Sequence, residues 1–411
     1  MKLLLISYVS PADKITGGFR PASFTKFFPE AGINVSFLTS HPDILKNKEI
    51  LEKYNIQSVE LVRPIRIRNI GYKLKILALM ETLKLDTLFF FPDIFRFWNR
   101  RAGKRAQQMI DREKIDAIIV TGPPHSPYYM AYKLAKKNNL PLIVDYRDPL
   151  TGSPFMYFPP IIKQIVRRKE RKIVNYAKLV ITVGEECSAL ITNSLKLKDK
   201  EIHVIYNGFF EEDRPDLTVE KRSKFTVSYF GHFYILRQKG FEALVAGMRR
   251  MIDKHNLSPN DIVLQYAGKI SRKTLQKILD GSNMKDYFND LGLLSGDTLF
   301  KEINQSTLNV VLVPPKTTYT LPTKIYDYAF CNSHIFLVGE KGEVTRWCEK
   351  VDQIYTQTTM NPEEISEDLW QLFTKWKSKS LEFGCDEEKI LEFSRRNLAL
   401  KLAEKIKKAI K

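Results

Sequence analysis

Apolar residues fall along this chain in short unbroken runs, separated by stretches in which they recur every three or four positions. The first run, Lys2–Val9 (KLLLISYV), has the pattern of a parallel strand buried on both faces. A loop holding Gly17 and Gly18 follows, then a helical stretch over Ala22–Gly32 and a second strand over Asn34–Ser40, which together make a strand–helix–strand unit. The order returns at Ala117–Val120, a helix from about Pro127 to Lys137, and Leu142–Val144, and it continues through Ala177–Leu195 and Glu201–Gly208. Strand and helix alternating in this way predict a doubly wound parallel sheet.

After Gly208 the periodicity lapses into a charged, proline-bearing stretch, and 211–224 reads as a linker. A second alternating series begins at Phe225–Gly231. Helices are predicted over Gly240–His255, about Arg272–Gly281, Gly296–Ser306 and from about Pro322, with apolar runs at Asp261–Gly268, Phe288–Leu294, Leu308–Pro315 and Ser333–Glu340 between them. The last 21 residues, 391–411, place Leu398, Leu402, Ile406 and Ile410 on one helical stripe. The fold class expected is α/β, with two Rossmann-like domains, 1–210 and 225–390, facing across a cleft, and the C-terminal helix crossing back to the first.

Composition changes this picture in two ways. At 411 residues and 44% hydrophobic the chain has material for two cores, yet no apolar run approaches the roughly 20 residues of a spanning helix. The N-terminus shows no signal-peptide pattern, and Cys187, Cys331, Cys348 and Cys385 form no CxxC, so a reducing cytoplasm is the expected setting, with neither disulfide framework nor zinc site. The second change comes from charge: 65 basic against 47 acidic residues give +18, so some partner or surface is anionic. Between Arg63 and Arg105 eleven basic residues meet three acidic ones, interleaved with many aromatic and aliphatic side chains. That mixture suits the anionic inner face of the cell membrane; a solvated helical hairpin with one buried face is the other reading.

Ligands of open α/β sheets bind beyond the carboxyl ends of the strands, so candidate chemistry belongs to the loops there. Gly17 and Gly18 let the backbone approach a ligand at a helix start, and Arg20 follows them. His125, in TGPPHSPYY, comes after one strand; Asp145, Arg147 and Asp148, in DYRDP, come after the next and either pair internally or hold a polar acceptor. In the second half Arg237 and Lys239 stand just before a predicted helix, able to add cations to its amides. Thr320, Leu321, Pro322, Thr323 and Lys324 lead into another helix start, while Asp327 can accept two hydrogen bonds from a vicinal diol such as a ribose.

Taken in order, GGFR, PPHSPY with VDYRDP, VIYNGF, FGH with RQKG, and LPTKIYDYAF span nearly the whole chain and resemble the family 4 glycosyltransferases, retaining, nucleotide-sugar-dependent enzymes of GT-B fold. The resemblance implies that Asn207 and Gly208 precede the interdomain linker, that Arg237 and Lys239 bind the donor diphosphate, that Asp327 binds the donor ribose and that His125 contacts the transferred sugar. Gly17, Gly18, Gly231, His232 and Thr320–Lys324 would complete the donor site, with Arg20, Asp145, Arg147 and Asp148 on the acceptor side. Two positions depart from the family pattern. His232 stands where many members carry arginine, and of a glutamate pair spaced across seven residues Asp327 replaces the second and Tyr319 occupies the place of the first.

The expectation is then metal-independent transfer of a sugar, from a UDP-linked rather than a GDP-linked donor, to a saccharide or lipid-linked acceptor in bacterial surface-polysaccharide assembly. No cofactor beyond the donor is implied, and the chain lacks a DxD motif. A nucleotide-sugar epimerase or hydrolase on the same scaffold is the alternative, separable because it would act on donor with no acceptor present. A nucleic-acid-binding role ranks below both, since no nucleic-acid motif accompanies the charge.

Overall fold

A computed structural model describes residues 1–13, 16–63, 93, 95–156, 158–214, 220–231, 235–294 and 296–411. Most of the basic, aromatic segment 63–105, and His232, lie outside these residues. The chain forms two compact units: Met1–Asn207 with Arg395–Lys411, and Gly208–Ser394.

The first unit contains β1 (Lys2–Ser7), α1 (Thr16–Phe27), β2 (Asn34–Thr39), α2 (Lys48–Lys53), β3 (Ser58–Leu61), α3 (Arg96–Glu113), β4 (Ala117–Gly122), α4 (Ser126–Lys137), β5 (Leu142–Tyr146), α5 (Pro160–Tyr176), β6 (Leu179–Thr182), α6 (Glu185–Leu195) and β7 (His203–Val204). The strands form one parallel sheet in the order β3-β2-β1-β4-β5-β6-β7. Every residue of β4 and β5 is buried, as strands covered on both faces must be. The order reverses between β1 and β4, so the loops leaving these two strands diverge and open a crevice at their carboxyl ends.

The second unit contains β8 (Phe225–Phe230), α7 (Ile235–His255), β9 (Ile262–Ala267), α8 (Arg272–Asp280), β10 (Phe288–Asp290), α9 (Gly296–Gln305), β11 (Leu308–Val313), α10 (Lys324–Phe330), β12 (His334–Gly339), α11 (Glu343–Lys350), β13 (Tyr355–Thr358), α12 (Pro362–Lys377) and α13 (Glu387–Leu391). Its parallel sheet runs β10-β9-β8-β11-β12-β13, with the reversal between β8 and β11. Phe225, Phe241, Met248, Leu308, Phe336 and Leu369 are among the side chains of its core.

The final helix, α14 (Arg395–Ile410), belongs to the first unit. It buries Leu398, Leu402 and Ile406 together with Ala399 and Ala403, while Ile410 at its end is only half-buried. Arg396 pairs with Glu30 at 2.7 Å and Arg395 lies over the Phe19 ring, which ties the helix to the first turn of α1 and to the turn that follows α1.

Two helix starts differ from the sequence expectation. Rather than beginning at Ala22, α1 begins at Thr16 and takes in Gly17, Gly18 and Arg20; Gly18 faces the Ser10 carbonyl so closely that any Cβ would collide with it. Likewise α7 begins at Ile235 instead of Gly240, so Arg237 and Lys239 lie in its first turns and not before it. Gly240 is accommodated inside the helix where it passes over Leu312 of β11, whose Cδ2 would stand 3.6 Å from an added Cβ.

Within the first unit, Arg20 closes the packing of α1 on the sheet. Its Nε and Nη2 donate to both carboxylate oxygens of Asp145, each at 2.8 Å, and Nη1 donates to the carbonyls of Ile205 and Tyr206 at 2.8 and 3.0 Å. Both charged side chains are buried, Arg20 at 2% exposure and Asp145 at 0%. Such a bidentate pair holds only while both partners are present, because the survivor of a deletion is an uncompensated buried charge. Arg20→Met is therefore expected to destabilise the protein by about 3–5 kcal/mol in urea unfolding followed by circular dichroism.

Candidate functional site

In the first unit the crevice between β1 and β4 gathers His125, Arg147, Asp148 and Gly17. His125 precedes α4, and its backbone amide and that of Ser126 donate to Asp93 Oδ2 at 2.8 and 2.9 Å, so a carboxylate supplies two of the acceptors a helix start needs. The imidazole is 5% exposed, with Nε2 3.0 Å from the Asp148 carbonyl. A carbonyl only accepts, so Nε2 carries the proton and Nδ1 is the acceptor of the ring. Burial lowers the pKa of this histidine, partly offset by the Asp148 carbonyl bond, and the ring is held neutral.

Arg147 donates to the Gly17 carbonyl at 2.8 Å and to the Pro123 carbonyl. The first contact follows from the sequence of α1. Pro21, four residues on, has no N–H to offer Gly17, and Arg147 takes up the carbonyl that the proline leaves without a helical partner. The carboxyl of Asp148 is raised to about 6 by desolvation, which the neighbouring Arg147 only partly offsets. Of the four acceptor-side candidates, then, Arg147 and Asp148 stand at the crevice. Arg20 and Asp145 are spent on one another beneath it, and their pairing is the internal one, though with a partner 125 residues away and not within DYRDP.

The second unit holds a cavity of about 200 Å³ at the carboxyl ends of β8 and β9. Gly231, Lys324 and Asp327 line it on one side, with Gly268, Leu293 and Leu294 among its other walls. Lys324 Nζ donates to the Phe230 carbonyl at 3.2 Å and sits 4.0 Å from the centre of the Tyr229 ring. Desolvation pulls its pKa well below that of a free lysine, and the charge of Arg237 pushes in the same direction. The turn before α10 is fixed by Thr320, whose amide and hydroxyl both bond the Thr317 carbonyl at 2.9 and 2.7 Å. Leu321 is buried while Pro322 and Thr323 are half-buried, and the Ile325 and Tyr326 amides return to the carbonyls of Pro322 and Thr323. Arg237 is half-buried and Lys239 exposed on α7.

In the cavity of the second unit, the residues that the sequence did not mark are apolar or glycine. Gly268 has φ +158°, and a Cβ there would strike the Gly231 carbonyl, so only glycine lets the ends of β8 and β9 approach this closely. Its signal was available in QYAG, a glycine at a strand end. Leu293 is 69% exposed although it lines the cavity, which makes it an uncovered apolar wall, and nothing local in its sequence marks that. Among the described residues no group of three or more His, Cys, Asp and Glu side chains is arranged to hold a metal ion.

Glu170 on α5 was also missed. It is 1% exposed, and Thr151 in the loop after β5 donates both its amide, at 3.1 Å, and its hydroxyl to Oε2. Burial outweighs these donors and lifts the carboxyl to about 7.

Residues 22–212 match the family model described as Glycosyltransferase Family 4. No curated protein sequence matches the chain. Among solved structures, HepE of Anabaena in complex with UDP-glucose is 14% identical with a TM-score of 0.65, covering 99% of this chain and 100% of its own. Sucrose-phosphate synthase of Thermosynechococcus elongatus is 12% identical with a TM-score of 0.65, covering 99% and 98%. The UDP-GlcNAc 2-epimerase of Methanocaldococcus jannaschii is 10% identical with a TM-score of 0.58, covering 99% and 100%. These likenesses establish the two-sheet fold expected from the sequence.

The raised Glu170 carboxyl has a consequence for stability. The folded protein binds a proton at Glu170 that the unfolded chain releases near 4.5, so the contribution is complete below that pH and is lost as pH rises through about 7. Glu170→Gln is expected to flatten the fall in stability across this window, by on the order of 3 kcal/mol, in urea titrations at a series of pH values.

Proposed function

We propose that this chain, whose residues 22–212 match the family 4 glycosyltransferase model, transfers a sugar, with retention, from a UDP-linked donor to a saccharide or lipid-linked acceptor in bacterial surface-polysaccharide assembly. The observation that carries the donor assignment is the cavity of the second unit, where an amine, a carboxylate and an apolar wall converge at the switch point of a parallel sheet. Asp327 is suited to the two hydroxyls of a ribose, and Leu293 with Leu294 to the face of a base. At about 200 Å³ the cavity is below the roughly 300–1,000 Å³ of most ligand pockets, so it receives only part of the donor. The diphosphate falls to Lys324, Arg237, Lys239 and the turn Thr320–Thr323. The UDP-glucose complex of HepE favours uridine as the base.

As the sugar leaves, negative charge builds on the diphosphate, and cations already in place stabilise that charge more in the transition state than in the ground state. No protein nucleophile is needed: the acceptor hydroxyl attacks the face from which the diphosphate departs, the bond from the anomeric carbon to the diphosphate oxygen breaks, and the hydroxyl proton passes to that departing oxygen. His125, neutral and fixed by its Nε2 bond, can offer Nδ1 as an acceptor to a hydroxyl of the transferred sugar, the contact that the family resemblance implies. Arg147 and Asp148 are the acceptor-side candidates.

Calorimetric titration with UDP, GDP, ADP and CDP tests this reading. UDP is expected to bind best, and Asp327→Ala to weaken it by at least about tenfold, or ~1.4 kcal/mol; equal indifference to all four nucleotides would overturn it. Incubating UDP-GlcNAc without acceptor separates the epimerase alternative, because formation of the C2 epimer there would replace transfer as the activity. The depressed amine of Lys324 adds a pH signature. A diphosphate favours the ammonium form, so binding at alkaline pH should take up a proton and weaken as pH rises. Lys324→Met is expected to lose that uptake, read from titrations in buffers of different ionisation enthalpy.

A further inference from the structure

In the first unit α3, α4 and α5 lie side by side on one face of the sheet. Together they carry fifteen basic and three acidic residues, so this layer alone accounts for +12 of the chain's +18. The acidic three do little to offset it outward: Glu170 is buried beneath α5, Glu113 is paired with Lys2 and Arg112, and Asp111 accepts from Gln107. Between α3 and α4 runs a groove of about 740 Å³, whose walls carry Arg96, Arg100, Lys104, Lys133 and Lys137 and no carboxylate.

The same layer exposes apolar side chains where a solvated helix would carry polar ones. Ile161 is 77% exposed and Ile165, one turn on along α5, 40%; Phe155 in the preceding loop is 42% exposed and Phe97 in the first turn of α3 39%. These are four of the seven large hydrophobic residues exposed among those described. All four stand toward the carboxyl ends of the strands, because α5 leaves β5 there and α3 runs back from that end into β4. Cations along a helical layer, with isoleucine and phenylalanine at one end, match a bilayer in both of its parts: anionic headgroups for the first and acyl chains for the second. A nucleic acid would satisfy only the cations, since exposed isoleucines gain nothing against hydrated phosphates.

We propose that this layer docks the protein on an anionic lipid bilayer, with Phe155, Ile161 and Ile165 entering the headgroup region and the cations of α3 and α5 meeting lipid phosphates. The sequence leaves 63–105 as either membrane-facing or a solvated helical hairpin; the described part of that segment that joins the surface is 96–105 of α3, and α5 lies wholly outside it. The surface holds the end of the unit that bears His125 and Asp148 toward the lipid, where an acceptor carried on a lipid would arrive. Its charge and exposure do not depend on the identity of the donor.

Co-sedimentation with vesicles tests the proposal. The full-length protein is expected to pellet with phosphatidylglycerol-containing vesicles at low salt and to be released by high salt, while staying in the supernatant with pure phosphatidylcholine. Ile161→Ser with Ile165→Ser should lower the vesicle affinity by about tenfold or more, and Arg168→Glu with Lys169→Glu should lower both affinity and salt dependence. All four side chains are at the surface, so unchanged circular-dichroism melting would confirm that the variants fold, and UDP affinity measured on the same preparations reports separately on the donor site. Wild type that stays in the supernatant with anionic vesicles would overturn the proposal. So would isoleucine variants that pellet as wild type does, or a wild type that prefers duplex DNA to vesicles.

Discussion

Both units depend on one constraint: their central strands are covered on both faces. Each residue of β4, β5, β8, β11 and β12 is buried, so polar side chains along these strands face the interior and several of them close internal bonds. Asp145 is the clearest case. Its carboxylate lies within β5 and is matched by a guanidinium from the covering helix, with two backbone carbonyls completing the set. Everything with chemical freedom is displaced to the strand ends, and it gathers where the strand order reverses, between β1 and β4 and again between β8 and β11.

The alternation of apolar runs and helical periods made the two sheets legible, as did the positions of His125 and Gly231 in the loops after strands and of Asp327 in the first turn of a helix. Local pattern failed in two physical circumstances. Glycine was read as a helix boundary at Gly18 and Gly240, but both lie inside a helix: at Gly18 a neighbouring carbonyl leaves no room for a side chain, while at Gly240 an added Cβ would make only ordinary contact with Leu312. That contact is made by the fold and has no local trace. The other failure concerned charge. Arg20 follows a glycine pair near a candidate ligand loop, which gave it the look of a binding residue, yet its partner is far off in sequence. Leu293 and Glu170 were invisible for the complementary reason, since exposure of a leucine and burial of a glutamate are properties of packing alone.

Charge in this molecule is divided by location more than by amount. Buried ionisable groups, Arg20, Asp145 and Glu170, are each satisfied by hydrogen bonds and serve structure. Half-buried ones, Lys324 and Asp148, sit at strand ends with pKa values moved by desolvation, which is the environment in which a ligand's own charge has most leverage. The excess of cations over anions is concentrated on one helical layer. The net +18 is therefore not a diffuse property of the surface, and a reading of composition alone could not have distinguished these three populations.

The position of α14 bears on how the protein is made. The first unit is interrupted in sequence by the whole of the second, and it receives its last helix only after residue 394. On the ribosome, Leu3 to Ile6 and the rest of the first sheet are synthesised early, but the apolar surface that Leu398, Leu402 and Ile406 cover stays open until about two hundred more residues have emerged. The second unit, continuous from Gly208 to Ser394, has no such wait. Order of synthesis and order of completion are thus reversed, and the nascent first unit is the stage at which a chaperone would find exposed surface to hold.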